Sequence, residues 1–239
     1  MTTSAAPSRV ADEQPVLYEV GDDGVAVVTL NRPGRHNAWT SAMEPAYLDS
    51  LESAAADPAV RAIVITGAGD SFCPGLDPEA LRASANGSRY DLDPRTHIFA
   101  TTVPKPVIAA INGNCAGIGL TQALCCDVRF LDRRARLSTA FSRRGLPAED
   151  GTTWLLSRAI GHARALELLL SGRVFDADEA FALGLVHRVV EPGTALPHAL
   201  AYARDLAAKV SPHSMAMIKS QMLLDLDATL QQSFARALD

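Results

Sequence analysis

The chain has 239 residues, 48% of them apolar, and a formal net charge of −5. That length fits one large domain or a domain with a small appendage, and that apolar share fits a globular protein. The acidic balance argues against general nucleic-acid binding, and without an apolar run of about 18 residues no membrane span is expected.

Residues 1–14 are small and polar, lack a basic-then-apolar signal pattern, and read as a disordered tail. "VLYEV" and "VAVVTL" flank "GDDG" and predict a hairpin. "NRPGRHNAW" is a loop. A helix is expected from about Ser41, with Ser41 and Glu44 at capping-box spacing, and Asp57-Pro58 ends it. "VRAIVITG" is a buried strand and "AGDSFCPGLD" the loop after it. Residues 83–94 are polar and irregular, which predicts a mobile surface loop. "KPVIAAI" is a second buried strand, with a helix from Gly117 to Cys126 and short strands in "DVRFLD" and "ARLST". The loop "FSRRGLPAED" leads into a helix at about Gly151. "HARALELLLSG" is a helix stopped by Gly172, and "DADEAFALGLV" a helix entered through an Asp cap. "HRVV" is a strand, and the remainder is helical, ending without a cap, which leaves room for a C-terminal extension. Short apolar strands alternating with helices predict an α/β fold with largely parallel sheets covered on both faces.

The four cysteines, Cys73, Cys115, Cys125 and Cys126, form no C-x-x-C pair, and adjacent Cys125 and Cys126 point apart on a helix. They read as buried hydrophobes of a cytoplasmic protein rather than metal ligands. The six histidines show no H-E-x-x-H spacing and read as structural or surface residues, so no metal is expected.

"CAGIGLTQAL" follows a strand and opens a helix, the layout of a phosphate cradle. Gln122 stands where a dinucleotide fingerprint needs its third glycine, and the lysine of a P-loop is missing. Two readings remain. Glycine permits tight helix–strand packing, or it permits a turn that aims a backbone N–H at a carbonyl oxygen. The second strand–glycine loop, "ITGAGDSFCPGLD", favours the latter, because two such turns can converge. One oxyanion donor is worth about 3–4 kcal/mol in a well-studied enzyme.

"ITGAGDSFCPGLD", "KPVIAAINGNCAGIGLTQALCCDVRF", "LSGRVFDADEAFALGLVHRVV" and "NRPGRHNAW" together resemble the crotonase, or enoyl-CoA hydratase/isomerase, superfamily over roughly residues 15 to 225. The resemblance implies a crotonase-like spiral of ββα units at 15–195 and a C-terminal helical region at 196–239 that forms a homotrimer or a dimer of trimers. It implies an acyl-CoA substrate, with coenzyme A entering as part of it and no further cofactor. It places the two oxyanion N–H groups on Leu76, after Gly75, and on Ile118, after Gly117. Arg35, Asn37 and Ala38 match the stretch that lies along CoA, and Asp77 is expected to fix its loop by accepting backbone N–H groups.

The two glutamates of family hydratases correspond to Thr121 and Phe141, neither of which can act as a carboxylate. Glu149, four residues after Gly145, matches the single catalytic carboxylate of family isomerases with a "G-L-x-x-E-G-G-T-T" stretch, except that Asp150 replaces a glycine. Both acids could instead cap the next helix, and Asp150 followed by Thr152 and Thr153 fits that task. Phe141 and Trp154 are expected either as apolar walls around the carboxylate or as core. The resemblance thus points to Δ3-to-Δ2 enoyl-CoA isomerisation through a thioester enolate. The alternatives are a hydratase using Glu149 with Asp150, or an acyl-CoA-binding protein without turnover.

Overall fold

The computed structural model describes residues 14–85, 95 and 97–236. Residues 1–13 of the expected tail and most of the expected loop at 83–94 lie outside them. Strands β1 (Val16–Val20) and β2 (Val25–Leu30) form the predicted hairpin, antiparallel around a turn closed by the Gly24 N–H on the Gly21 carbonyl. Helix α1 (Met43–Ala56) follows, but not through the expected capping box. Its N-cap position is Ala42, the Met43 N–H bonds Thr40 Oγ1 at 3.2 Å, and Glu44 is buried.

Then the chain repeats one pattern. A long strand is followed by a very short one and a helix: β3 (Ala62–Gly67), β4 (Ser71–Cys73), α2 (Pro78–Ala85); β5 (Val107–Ile111), β6 (Asn114–Ala116), α3 (Ile118–Leu124); β7 (Val128–Asp132), β8 (Leu137–Ser138), α4 (Thr152–Ile160). The long strands join β1, β2 and β9 (Arg188–Val190) in a six-stranded sheet of order β1-β2-β3-β5-β7-β9, parallel from β2 onward. The short strands pair in a second, parallel sheet of order β4-β6-β8. This is the expected spiral of ββα units. Helix α2 replaces the start of the loop expected from residue 83; Asp77 opens it by accepting the Glu79 N–H at 3.0 Å.

The long strands are apolar on both faces because both are covered. Ile63, Ile65, Val107, Ala109 and Ile111 face one core, with α1 and α3; Val64, Ile108 and Ala110 face a second. Each such Ile or Val stabilises the fold by roughly 1.5–3 kcal/mol. The second core is closed by α7 (Ala195–Lys209), whose Ala195, Ala199, Ala203 and Ala207 recur every four residues and let the helix lie close to the sheet. α5 (His162–Ser171) ends at Gly172 in the left-handed region, and Asp176 caps α6 (Ala177–Ala182) through the Glu179 N–H, both as expected. α8 (Pro212–Asp225) and α9 (Leu230–Arg236) contribute no buried residue. Among the described residues no helix is long and apolar enough to cross a membrane.

Candidate active site

The spiral stacks the loop after β4 on the turn after β6. Gly75 sits at φ +112° and Gly117 at φ +53°, conformations that L side chains rarely adopt. The turns touch: a Cβ built on Gly117 would lie 3.7 Å from the Gly75 Cα. Leu76 and Ile118, the residues that follow, line one pocket with Glu149, Phe141 and Leu81. Among the described residues neither the Leu76 nor the Ile118 N–H is bonded to a protein acceptor. Two free donors on adjoining turns form a place for a carbonyl oxygen that gains charge. The pocket encloses a cavity of about 30 Å³, room for about two waters. A thioester with its acyl chain needs a wider opening than this.

The packing reading of the glycines also holds, at a different position. A Cβ on Gly119 would fall 2.2 Å from the Cys73 carbonyl oxygen, so α3 lies directly on β4. Gly117 makes the donor turn, and Gly119 lets the helix behind it approach.

Glu149 stands in a four-residue turn. The Thr152 N–H closes it on the Glu149 carbonyl at 3.0 Å, with Asp150 at φ +56° and Gly151 at φ +72° between them. Thr152 Oγ1 donates to the same carbonyl at 2.6 Å and lies 2.6 Å from Thr121 Oγ1. Thr121 is fully buried beneath the pocket and links α3 to the turn. Burial pushes the Glu149 carboxyl above its ordinary value, the Asp150 charge adds to this, and His97 partly offsets it.

The chain matches the enoyl-CoA hydratase/isomerase family over residues 21–239. It belongs to that family. A 1,2-epoxyphenylacetyl-CoA isomerase from Escherichia coli K12 is 34% identical over 228 residues, covering 90% of this chain and 87% of that protein. The structure of an enoyl-CoA hydratase from Mycobacterium marinum is 48% identical, with a TM-score of 0.77 over 88% of this chain and 97% of that one. An enoyl-CoA hydratase from Mycobacterium tuberculosis H37Rv is 32% identical, with a TM-score of 0.87 over 95% and 88%. The family thus supplies both hydratase and isomerase names.

Several residues singled out in the sequence take different places in this enoyl-CoA hydratase/isomerase fold. Asn37 is buried; its amide donates to the Ala68 and Ser71 carbonyls at 2.9 and 2.7 Å and accepts the Arg32 N–H at 2.8 Å. It pins the loop, with its side-chain oxygen and nitrogen both bonded to backbone groups. Ala38 is buried, whereas Arg35 is half exposed and pairs with Asp77 at 3.3 Å. Asp77 holds its loop as expected, and also binds Arg32 at 3.1 Å. Burial works to raise its pKa, but the Glu79 N–H and the two guanidiniums hold it below the ordinary carboxylate value. Phe141 is a pocket wall. Trp154 is not: it lies under the Arg158 guanidinium at 3.8 Å, beside a separate groove along α8.

Asp150 does not cap α4, whose N-cap position, Gly151, has no side-chain bond. Its carboxylate lies 2.6 Å from His97 Nδ1, and His97 Nε2 is 3.2 Å from the buried Glu44. From the sequence, Glu44 reads only as a helix-capping residue and His97 only as a structural or surface residue. No local spacing signals them, since His97 meets partners 53 residues away in one direction and as distant in the other. The cysteines are buried and free, and burial raises the Cys73 and Cys125 thiols to about 12, so they stay protonated.

Proposed function

We propose that the protein is an enoyl-CoA isomerase that moves a double bond from Δ3 to Δ2. The observation that carries this reading is that Glu149 is the one carboxylate lining the pocket of the Leu76 and Ile118 N–H groups, among the described residues. The ionised carboxylate takes a proton from C2, which the thioester and the neighbouring double bond acidify. The electron pair enters the conjugated system, and the enolate oxygen rests on the two N–H groups. The same carboxyl then returns the proton to C4, the C2–C3 double bond forms, and the thioester carbonyl is restored. One base suffices, no water is consumed, and coenzyme A arrives with the substrate. A raised pKa suits this task, because a stronger base removes a weakly acidic proton more readily.

A hydratase needs a second group to handle water. Thr121 and Phe141 cannot ionise, and Asp150 is engaged by His97. The hydratase name of the M. marinum relative keeps that reaction as the second reading. Turnover of a 3-enoyl-CoA and a 2-enoyl-CoA, measured side by side, decides between them. Rearrangement of the first without water addition to the second is the expected result. Hydration of the second would replace this reading, and turnover of neither would leave binding alone. The free thiols suit a reducing compartment, and the cytoplasm is the proposed location.

A further inference from the structure

Beneath the turn that carries Glu149, one imidazole is held between two carboxylates. Asp150 Oδ1 is 2.6 Å from His97 Nδ1, and Glu44 Oε2 is 3.2 Å from Nε2. A neutral imidazole donates from one nitrogen and accepts at the other; only the imidazolium donates from both. With carboxylates at both nitrogens, the neutral ring always turns a lone pair on an acid, whereas the imidazolium places a positive charge between them, hydrogen-bonded to Asp150 and at ion-pair distance from Glu44. The site is enclosed, with His97 and Glu44 side chains 12% and 2% exposed.

The ring itself is fixed. Its backbone carbonyl accepts from Gln122 Nε2 at 3.2 Å, and its edge meets Trp39, with centroids 6.4 Å apart. Trp39 in turn pairs with the oxyanion loop: its backbone N–H donates to the Gly75 carbonyl at 2.8 Å. Asp150 has a positive φ, which costs a non-glycine residue more than it costs Gly. The His97 contact offsets that strain.

We infer that His97 is a positioning residue for Glu149. As an imidazolium it clamps Asp150, holds the Glu149 turn in the pocket, and releases it when it loses its proton. This rests on Glu149 being the base. Among the described residues, the acids facing the ring are Glu44 from α1 and Asp150, with Glu149 beside it, from the turn; Gln122 of α3 and Cys125 just after it meet the His97 backbone carbonyl, and Arg95, two residues away, pairs with Asp49 and Glu52. Cys125 stays neutral below about 12. Burial works against protonation of His97, but the Asp150 hydrogen bond and charge, with Glu44, outweigh it and set the histidine above its ordinary value.

The test is the pH dependence of kcat and KM for a short-chain 3-enoyl-CoA, from about pH 5 to about pH 10, in the wild type, His97→Gln and Asp150→Asn. Wild-type kcat should fall on the alkaline side, with an inflection above the ordinary histidine value. His97→Gln should lose that fall and, near neutral pH, lose about tenfold to a hundredfold in kcat with little change in KM, as misplacement of a reacting group does. Asp150→Asn should move the inflection to lower pH, because one carboxylate that favours the imidazolium is gone. NMR titration of His97 in the wild type gives the same quantity without turnover, should His97→Gln fail to fold. An unchanged alkaline limb in His97→Gln, or a His97 titration at or below the ordinary value, overturns the proposal. Full activity in Glu149→Gln overturns the isomerase reading and this proposal with it. Loss of activity there with an unaltered limb in His97→Gln overturns this proposal alone.

Discussion

Glu149 and Asp150 are neighbours whose side chains point different ways, and the tasks proposed for them differ accordingly. Glu149 enters the pocket; Asp150 turns back to His97. Glu149→Gln keeps the shape and removes the proposed base. Isomerisation should fall at least roughly a hundredfold, with acyl-CoA affinity retained; turnover and calorimetric binding on the purified variant check both halves. The acid limb of kcat/KM should lie above the ordinary glutamate value, since burial and Asp150 raise this carboxyl and it must ionise to act. Thr121→Ala should be mild in rate. It removes one hydroxyl of a buried pair while Thr152 keeps its bond to the Glu149 carbonyl, at a stability cost of about 1 kcal/mol. His97 carries a stability signature as well. A folded pKa above the unfolded one gives stabilisation that is full below the unfolded value and is lost as pH rises through the folded one. The thermal midpoint should fall over that window in the wild type and not in His97→Gln. The position of Glu149 was legible from its motif, because spacing within a loop is local. The task of Asp150 was not: acids before a helix are usually caps, and its partner is 53 residues away.

At the scale of elements, the donor pair depends on how closely α3 approaches β4. Gly119 has no room for a side chain: a methyl placed there would meet the Cys73 carbonyl oxygen at 2.2 Å, and backbone cannot swing aside. Gly119→Ala must push α3 outward, and overpacking of this kind costs about 1–3 kcal/mol. Because α3 begins at Ile118, the same shift moves one of the two proposed oxyanion donors. We expect a lower thermal midpoint together with a lower kcat; a variant with both at wild-type values would show that α3 can relax without moving Ile118. The buried strands and the helices around them were readable as apolar runs between glycines. Of the second sheet only β8 was, within "ARLST"; Ser71–Cys73 and Asn114–Ala116 are three residues each, too short for any periodicity to declare itself. The capping-box expectation at Ser41 failed for a tertiary reason. Glu44 is buried 3.2 Å from His97 Nε2, and the helix N-cap has no side-chain bond.

At the scale of the molecule, the two cores account for the sheet and its helices but leave α8 and α9 unfinished. Ile218, Met222, Leu224, Leu230 and Phe234 are 58%, 66%, 56%, 82% and 66% exposed. Large apolar side chains grouped on the last two helices mark a contact surface rather than a solvent face. We propose that this surface joins copies of the chain, as a trimer or a dimer of trimers. Burying one such side chain fully is worth roughly 1.5–3 kcal/mol, so replacing two of them with charges removes that gain and adds a desolvation cost. Met222→Glu with Phe234→Glu should therefore convert the assembly into monomers at micromolar concentration, read by sedimentation velocity. Neither residue is buried in the single chain, so secondary structure measured by circular dichroism should be unchanged. A wild-type protein that sediments as a monomer would count against the assembly itself. A variant that still assembles would place the interface elsewhere than on α8 and α9.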